Sequence, residues 1–94
     1  MGEIITVHAA FGKAVLQDIP VGSLHSGTFQ PRREFPEESL VQLADTIARL
    51  GVLEPLIVRP SPQQAGRYEI IAGERRFRAA KRAGLPTVPC MVSR

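Results

Sequence analysis

The residues with the most evident chemistry stand in one run, Gly73-Glu74-Arg75-Arg76-Phe77-Arg78. The apolar stretch Ile70-Ile71-Ala72 leads into Gly73, and a helical pattern starts directly after it. A glycine at that junction lets the backbone turn tightly and lets a ligand approach with no Cβ in the way. Free N–H groups at a helix start, with the helix dipole behind them, form an anion site. Arg75 and Arg76 lie in the first turn, where cations are disfavoured beside the positive helix end. An anion that neutralises the cluster offsets that cost. By spacing, Arg75, Arg78 and Arg82 share one face, while Phe77 and Ala80 turn towards the core. Two readings follow: a phosphate-binding turn, or a solvated helix whose arginines pair with Glu74 and water.

A second run, Phe29-Gln30-Pro31-Arg32-Arg33, has related chemistry. Gln30 offers donors and acceptors, and the arginines present planar forks suited to phosphate. Paired with the first cluster, it suggests two walls of one polyanion site. The net charge of the 94 residues is only +3, but the charges are segregated. Residues 73–82 carry Arg75, Arg76, Arg78, Lys81 and Arg82 against Glu74, whereas residues 34–45 carry Glu34, Glu37, Glu38 and Asp45 with no base. A concentrated basic segment points to an anionic partner such as a phosphate-bearing ligand, or to a solvated helix face. His8 and His25 stand apart from any Cys or carboxylate at metal-ligand spacing. Asp18, His25 and Ser26 are too local in sequence to argue for a triad. The single Cys, Cys90, lies in an apolar stretch and reads as a small buried residue.

These residues need a scaffold, and the chain is long enough for one small domain. Leu40, Leu43, Ala44, Ile47 and Leu50 recur at helical spacing and predict a helix over Pro36–Leu50, stopped by Gly51. Glu54–Arg59 and Arg67–Ala72 read as an antiparallel hairpin with a turn at Ser61–Gly66. Glu74–Ala83 is a second helix, closed by Gly84 and Pro86, and Val88–Val92 a last strand. Asp18–Leu24 reads as a short strand that Pro20 confines to an edge or a strand end. Glu3–His8 is an edge strand or an ordered tail. The order describes an α+β fold, with helices packed on a small mixed sheet. The chain divides into an N-terminal extension, 1–17, and a domain, 18–94. No apolar run approaches the ~20 residues that span a bilayer, and no secretory signal is present.

Three motifs in order carry a resemblance. Phe29-Gln30-Pro31-Arg32-Arg33, Gly51-Val52-Leu53-Glu54-Pro55-Leu56-Ile57-Val58-Arg59-Pro60 and Tyr68-Glu69-Ile70-Ile71-Ala72-Gly73-Glu74-Arg75-Arg76-Phe77-Arg78-Ala79-Ala80 resemble the N-terminal domain of the ParB chromosome and plasmid partition proteins. The resemblance covers residues 18–92 and implies a domain that binds CTP with Mg²⁺. In that family, nucleotide binding closes a dimer into a clamp that slides along DNA, and slow CTP hydrolysis resets it.

Carried over, Gly73, Glu74, Arg75 and Arg76 would cradle the triphosphate, with Gln30, Arg32 and Arg33 completing the phosphate side. The loop Gly51, Val52, Leu53, Glu54, Pro55 and Leu56 would lie near the cytosine and read its edge largely through main-chain groups. Glu74 would assist hydrolysis. Implied partners are a ParA-type ATPase, a second N-terminal domain and, through C-terminal domains, centromere-like DNA. The implied location is the cytoplasm, at the nucleoid or a plasmid. The chain ends at Arg94, before the family's third nucleotide motif, which helps hold Mg²⁺, and before its DNA-reading helix-turn-helix, so an N-terminal fragment is expected. A non-nucleotide protein-interaction or DNA-bridging module is the alternative. Sulfiredoxin has a similar general fold, but its reactive cysteine belongs to the phosphate loop, and no Cys stands near Gly73 here.

Overall fold

In the computed structural model, which describes residues 5–9, 12–27, 36–52 and 54–93, buried side chains alternate along the last strand. Val88, Cys90 and Val92 are fully buried, while the residues between them are not. The elements are β1 (Ile5–Ala9), β2 (Gly12–Pro20), a 3-10 turn at Val21–Ser23, β3 (Leu24–His25), α1 (Glu37–Leu50), β4 (Leu56–Pro60), β5 (Tyr68–Ala72), α2 (Glu74–Arg82) and β6 (Thr87–Ser93). The strands form one six-stranded sheet in the order β1-β2-β6-β4-β5-β3. β4 runs parallel to β6 and β3 to β5, and the remaining pairs are antiparallel. This is the mixed sheet of the expected α+β fold.

One face of the sheet makes the core. Ile19, Leu56, Val58, Ile70, Val88, Cys90 and Val92 meet Phe77 and Ala80 of α2. The second helix layer stands on the first: Ala44 and Ile47 of α1 pack against Ala79 of α2. Small alanines at that contact let the helices approach closely. Leu43 packs beside them, but Leu50, expected in the same buried stripe, is 62% exposed. It lies in the last turn of α1, past the packed residues.

The strand expected over Asp18–Leu24 is two strands. β2 ends at Pro20, the chain turns through Val21–Ser23, and the Val21 N–H reaches the Pro86 carbonyl at 3.0 Å instead of a neighbouring strand. β2 also starts earlier, at Gly12, because it is the shared partner of β1 and β6. β4 begins at Leu56 and leaves Glu54 and Pro55 in the preceding loop, since a proline has no N–H to give to a ladder.

Cys90 is a free thiol buried in this core. Burial, and secondarily the Asp18 charge, push its pKa up from 9.0 to about 12. The folded chain thus holds the thiol proton more tightly than the unfolded chain does. The stability this contributes is present below pH 9 and is lost between pH 9 and about 12. The native protein is expected to leave Cys90 unlabelled by an aromatic disulfide reagent at neutral pH, with full labelling on denaturation.

Gly73, the residue before α2, has φ +105° and ψ +22°. A Cβ there would lie 3.0 Å from Leu56 Cγ and 3.3 Å from Leu56 Cα. Gly73→Ala is therefore expected to cost about 1–3 kcal/mol or more, through backbone strain and overpacking together. Denaturant unfolding of the two proteins measures the difference.

Candidate functional site

The β5–α2 junction builds the site. Gly73 turns the chain in the left-handed region, and its carbonyl accepts the first helical hydrogen bond, from Phe77 N–H at 2.9 Å. The N–H groups of the first turn of α2 have no intrahelical partner. Gly73, the N-cap residue, has no side chain to cap them. Leu56, fully buried, backs this turn from β4, so of the loop named in the sequence it serves as core rather than as a ligand contact.

Arg76 crosses from the turn to the loop after α1. Its Nη1 donates to Glu54 Oε2 at 2.9 Å, with the arginine side chain 28% and the glutamate 80% exposed. An ion pair this open to water contributes about 0–1 kcal/mol and exchanges easily for another anion. Arg76 and Glu54 also line a pocket of about 150 Å³, together with Leu43, Thr46 and Ile47 of α1 and with Gly51 and Val52. Leu43, Ile47 and Val52 make its walls largely apolar. Gly51 closes α1 with φ +79° and so directs the loop back across the helix end. Pro55 is half-buried and lies outside the lining.

The remaining arginines of the cluster have protein partners. Arg75 Nε donates to Ser39 Oγ at 3.1 Å, and Arg82 pairs with Glu37, so both tie α2 to the first turn of α1. The acidic and basic segments of the sequence thus meet in part as neighbours. Arg78 Nε donates to Glu74 Oε2 at 3.0 Å, one helical turn away. Glu74 is 5% exposed. Its Oε2 also accepts from Ser26 Oγ at 2.8 Å, whereas its Oε1 is buried with no hydrogen-bond partner among the described residues.

The sequence named Ser26 only in setting aside a triad, and no local signal pairs it with a residue 48 positions later. The same holds for His25, whose Nε2 lies 2.8 Å from Ser61 Oγ and whose Nδ1 lies 3.0 Å from the Ser26 carbonyl. With Nδ1 donating to that carbonyl, Nε2 accepts from the serine. Ser61 Oγ also accepts the Gln63 and Gln64 N–H groups, so the pair locks the β4–β5 turn rather than arming a nucleophile. Gln30, Arg32, Arg33 and Leu53 lie outside the described residues. Among the described residues no group of three His, Cys, Asp or Glu side chains can hold a metal ion. No helix among them is long and apolar enough to cross a membrane.

Residues 6–94 match the family model of the ParB N-terminal domain. The chain is 55% identical over 76 residues to the chromosome-partitioning protein ParB of Caulobacter vibrioides, which covers 81% of this chain and 25% of that protein. It thus spans about a quarter of the length of this curated relative. The crystal structure of C-terminally truncated ParB from Caulobacter crescentus complexed with CTP-gamma-S matches with a TM-score of 0.79 and 55% identity, over 82% of this chain and 43% of that one. The same protein complexed to the centromeric parS site matches with a TM-score of 0.77 and 56% identity, over 80% of this chain and 38% of that one. A small mixed sheet, a glycine turn into an arginine-bearing helix and this degree of identity agree, and the chain belongs to the ParB N-terminal domain family.

Proposed function

We propose that the domain is the CTP-binding switch of a DNA partition protein. The observation that carries this reading is that one side chain, Arg76, borders both the pocket and the uncapped start of α2. A polyanion on the helix start and a ring in the pocket would therefore belong to one ligand. A dry cavity of about 150 Å³ lined by aliphatic side chains is the size that accepts one benzene-like ring. The pocket here has about that volume and is open to solvent, so a pyrimidine can lie against its aliphatic wall. The relative solved with CTP-gamma-S supports the same assignment.

In this reading the phosphates lie on the N–H groups after Gly73, with Arg75 and Arg76 supplying charge and Gln30, Arg32 and Arg33 closing the other side. Arg76 exchanges Glu54 for phosphate, a small loss against a charge-assisted contact. The base lies against Gly51, Val52 and Glu54. Glu74, held at the phosphate end, accepts the proton of the attacking water, and catalysis otherwise consists of positioning and charge neutralisation. Mg²⁺, when bound, neutralises the triphosphate. The described residues offer it only scattered carboxylates, so the phosphates themselves and residues beyond this set would hold it.

Nucleotide binding then controls closure of paired N-terminal domains into a clamp on DNA in the bacterial cytoplasm. A ParA-type ATPase works with it, and centromere-like DNA is read by C-terminal regions; a relative is solved in complex with the centromeric parS site. The second reading is a non-nucleotide interaction or DNA-bridging module. It is favoured by one fact: Arg75, Arg76 and Arg82 already have protein partners without a phosphate.

Arg76→Ala is expected to lower CTP affinity of the full-length protein by about 1.5–3 kcal/mol, with little change in folding stability. Calorimetric titration measures the first and thermal unfolding the second. Unaltered CTP affinity overturns the assignment. Titration of all four nucleotides is expected to rank CTP above UTP, ATP and GTP, whereas indifference to all four favours the interaction module. Residues 1–94 alone are expected to bind CTP weakly and without measurable turnover, and to show no sequence-selective DNA footprint.

A further inference from the structure

Glu74 is placed by two donors from different parts of the chain, and both use the same oxygen. Ser26 Oγ donates to Oε2 at 2.8 Å and Arg78 Nε to Oε2 at 3.0 Å. The glutamate side chain is 4% exposed, and Oε1 is buried without a hydrogen-bond partner among the described residues. A buried carboxylate oxygen left unsatisfied is costly, and such an atom is the natural acceptor for a donor that arrives with a ligand.

The two donors are not equivalent. Arg78 lies on α2 itself, at the i+4 position, and follows the helix wherever it goes. Ser26 is anchored elsewhere. It follows directly on β3, which pairs with β5 through Leu24 opposite Tyr68 and His25 opposite Glu69. Its carbonyl is held by His25 Nδ1, and His25 Nε2 is held by Ser61 in the β4–β5 turn. The Ser26 hydroxyl thus carries the position of the sheet edge to the carboxylate.

We infer that Ser26 is a positioning residue for Glu74, holding Oε2 so that Oε1, buried and without a partner among the described residues, is the oxygen left to take a proton once nucleotide and water enter the site. This rests on the reading of Glu74 as the acceptor in CTP hydrolysis. In that step water oxygen bonds to the γ-phosphorus and the bond to the β–γ bridging oxygen breaks. The water proton passes to Oε1, and the products are CDP and inorganic phosphate. Ser26 touches none of the reacting atoms. Its effect is on which carboxylate oxygen is free.

The test uses the full-length protein with Ser26→Ala, Ser26→Thr and Glu74→Gln. Phosphate release, affinity for a non-hydrolysable CTP analogue and the Glu74 side-chain carboxyl carbon resonance are followed. Ser26→Ala is expected to lower kcat about tenfold, leave analogue affinity within about twofold and shift the Glu74 resonance. Ser26→Thr, which keeps the hydroxyl, is expected to restore both. A Ser26→Ala protein with the parent's kcat and an unshifted Glu74 resonance overturns the inference. So does equal loss of kcat and analogue affinity, which marks a structural role. Glu74→Gln turning over at the parent's rate would instead overturn the role of Glu74 in hydrolysis, and the resonance would still report the Ser26 contact.

Discussion

Between β5 and α2 the backbone passes through φ +105° within 3.0 Å of the Leu56 side chain. Only a residue without a Cβ fits both requirements. That constraint aligns the start of α2 with its N–H groups uncapped, sets Glu74 inward and Arg76 outward, and brings the latter to the loop after α1. The Leu56 side chain that forbids a larger residue is itself fully buried, facing Cys90 across parallel strands. The turn is therefore supported by the core, and the geometry at the surface inherits the rigidity of the sheet below it.

Charge segregation in the sequence has a double explanation in the fold. Acidic α1 and basic α2 are adjacent, and Arg82 meets Glu37 across a contact of Ala44, Ile47 and Ala79. This part of the pattern is ordinary surface pairing. Arg76 is different, because its partner Glu54 is 80% exposed and belongs to a loop rather than to a packed helix. An anion can replace that glutamate without disturbing the core. Glu74 is different again, being buried and satisfied on one oxygen only. The cluster is thus partly packed scaffold and partly pairing that water reaches, and the division runs between neighbouring residues.

The helices were legible because their signals are local. Leu43, Ala44 and Ile47 repeat at helical spacing, and Gly51 and Gly73 mark where the chain must turn. The arginine run after a buried strand was legible for the same reason, with two readings, an anion-binding turn or a helix face paired with its neighbours. The split of Asp18–Leu24 was not, since Val21 bonds to the Pro86 carbonyl, a partner that sequence spacing cannot show. The exposure of Leu50 was hidden too, because α1 packs on α2 and the contact does not extend to its last turn. Ser26 and His25 acquire their partners only when the β4–β5 turn and α2 come to rest beside β3.

A single nucleotide that spans the start of α2 and the pocket beneath the end of α1 must perturb both at once. Backbone amide NMR of the ¹⁵N-labelled chain registers this residue by residue, even when binding is weak. CTP with Mg²⁺ is expected to shift the amides of Glu74, Arg75 and Arg76 together with those of Gly51, Val52 and Glu54. Inorganic triphosphate is expected to shift the first group alone. If CTP leaves the amides after Gly73 unmoved while others shift, or if it moves neither group at saturating concentration, the account is contradicted.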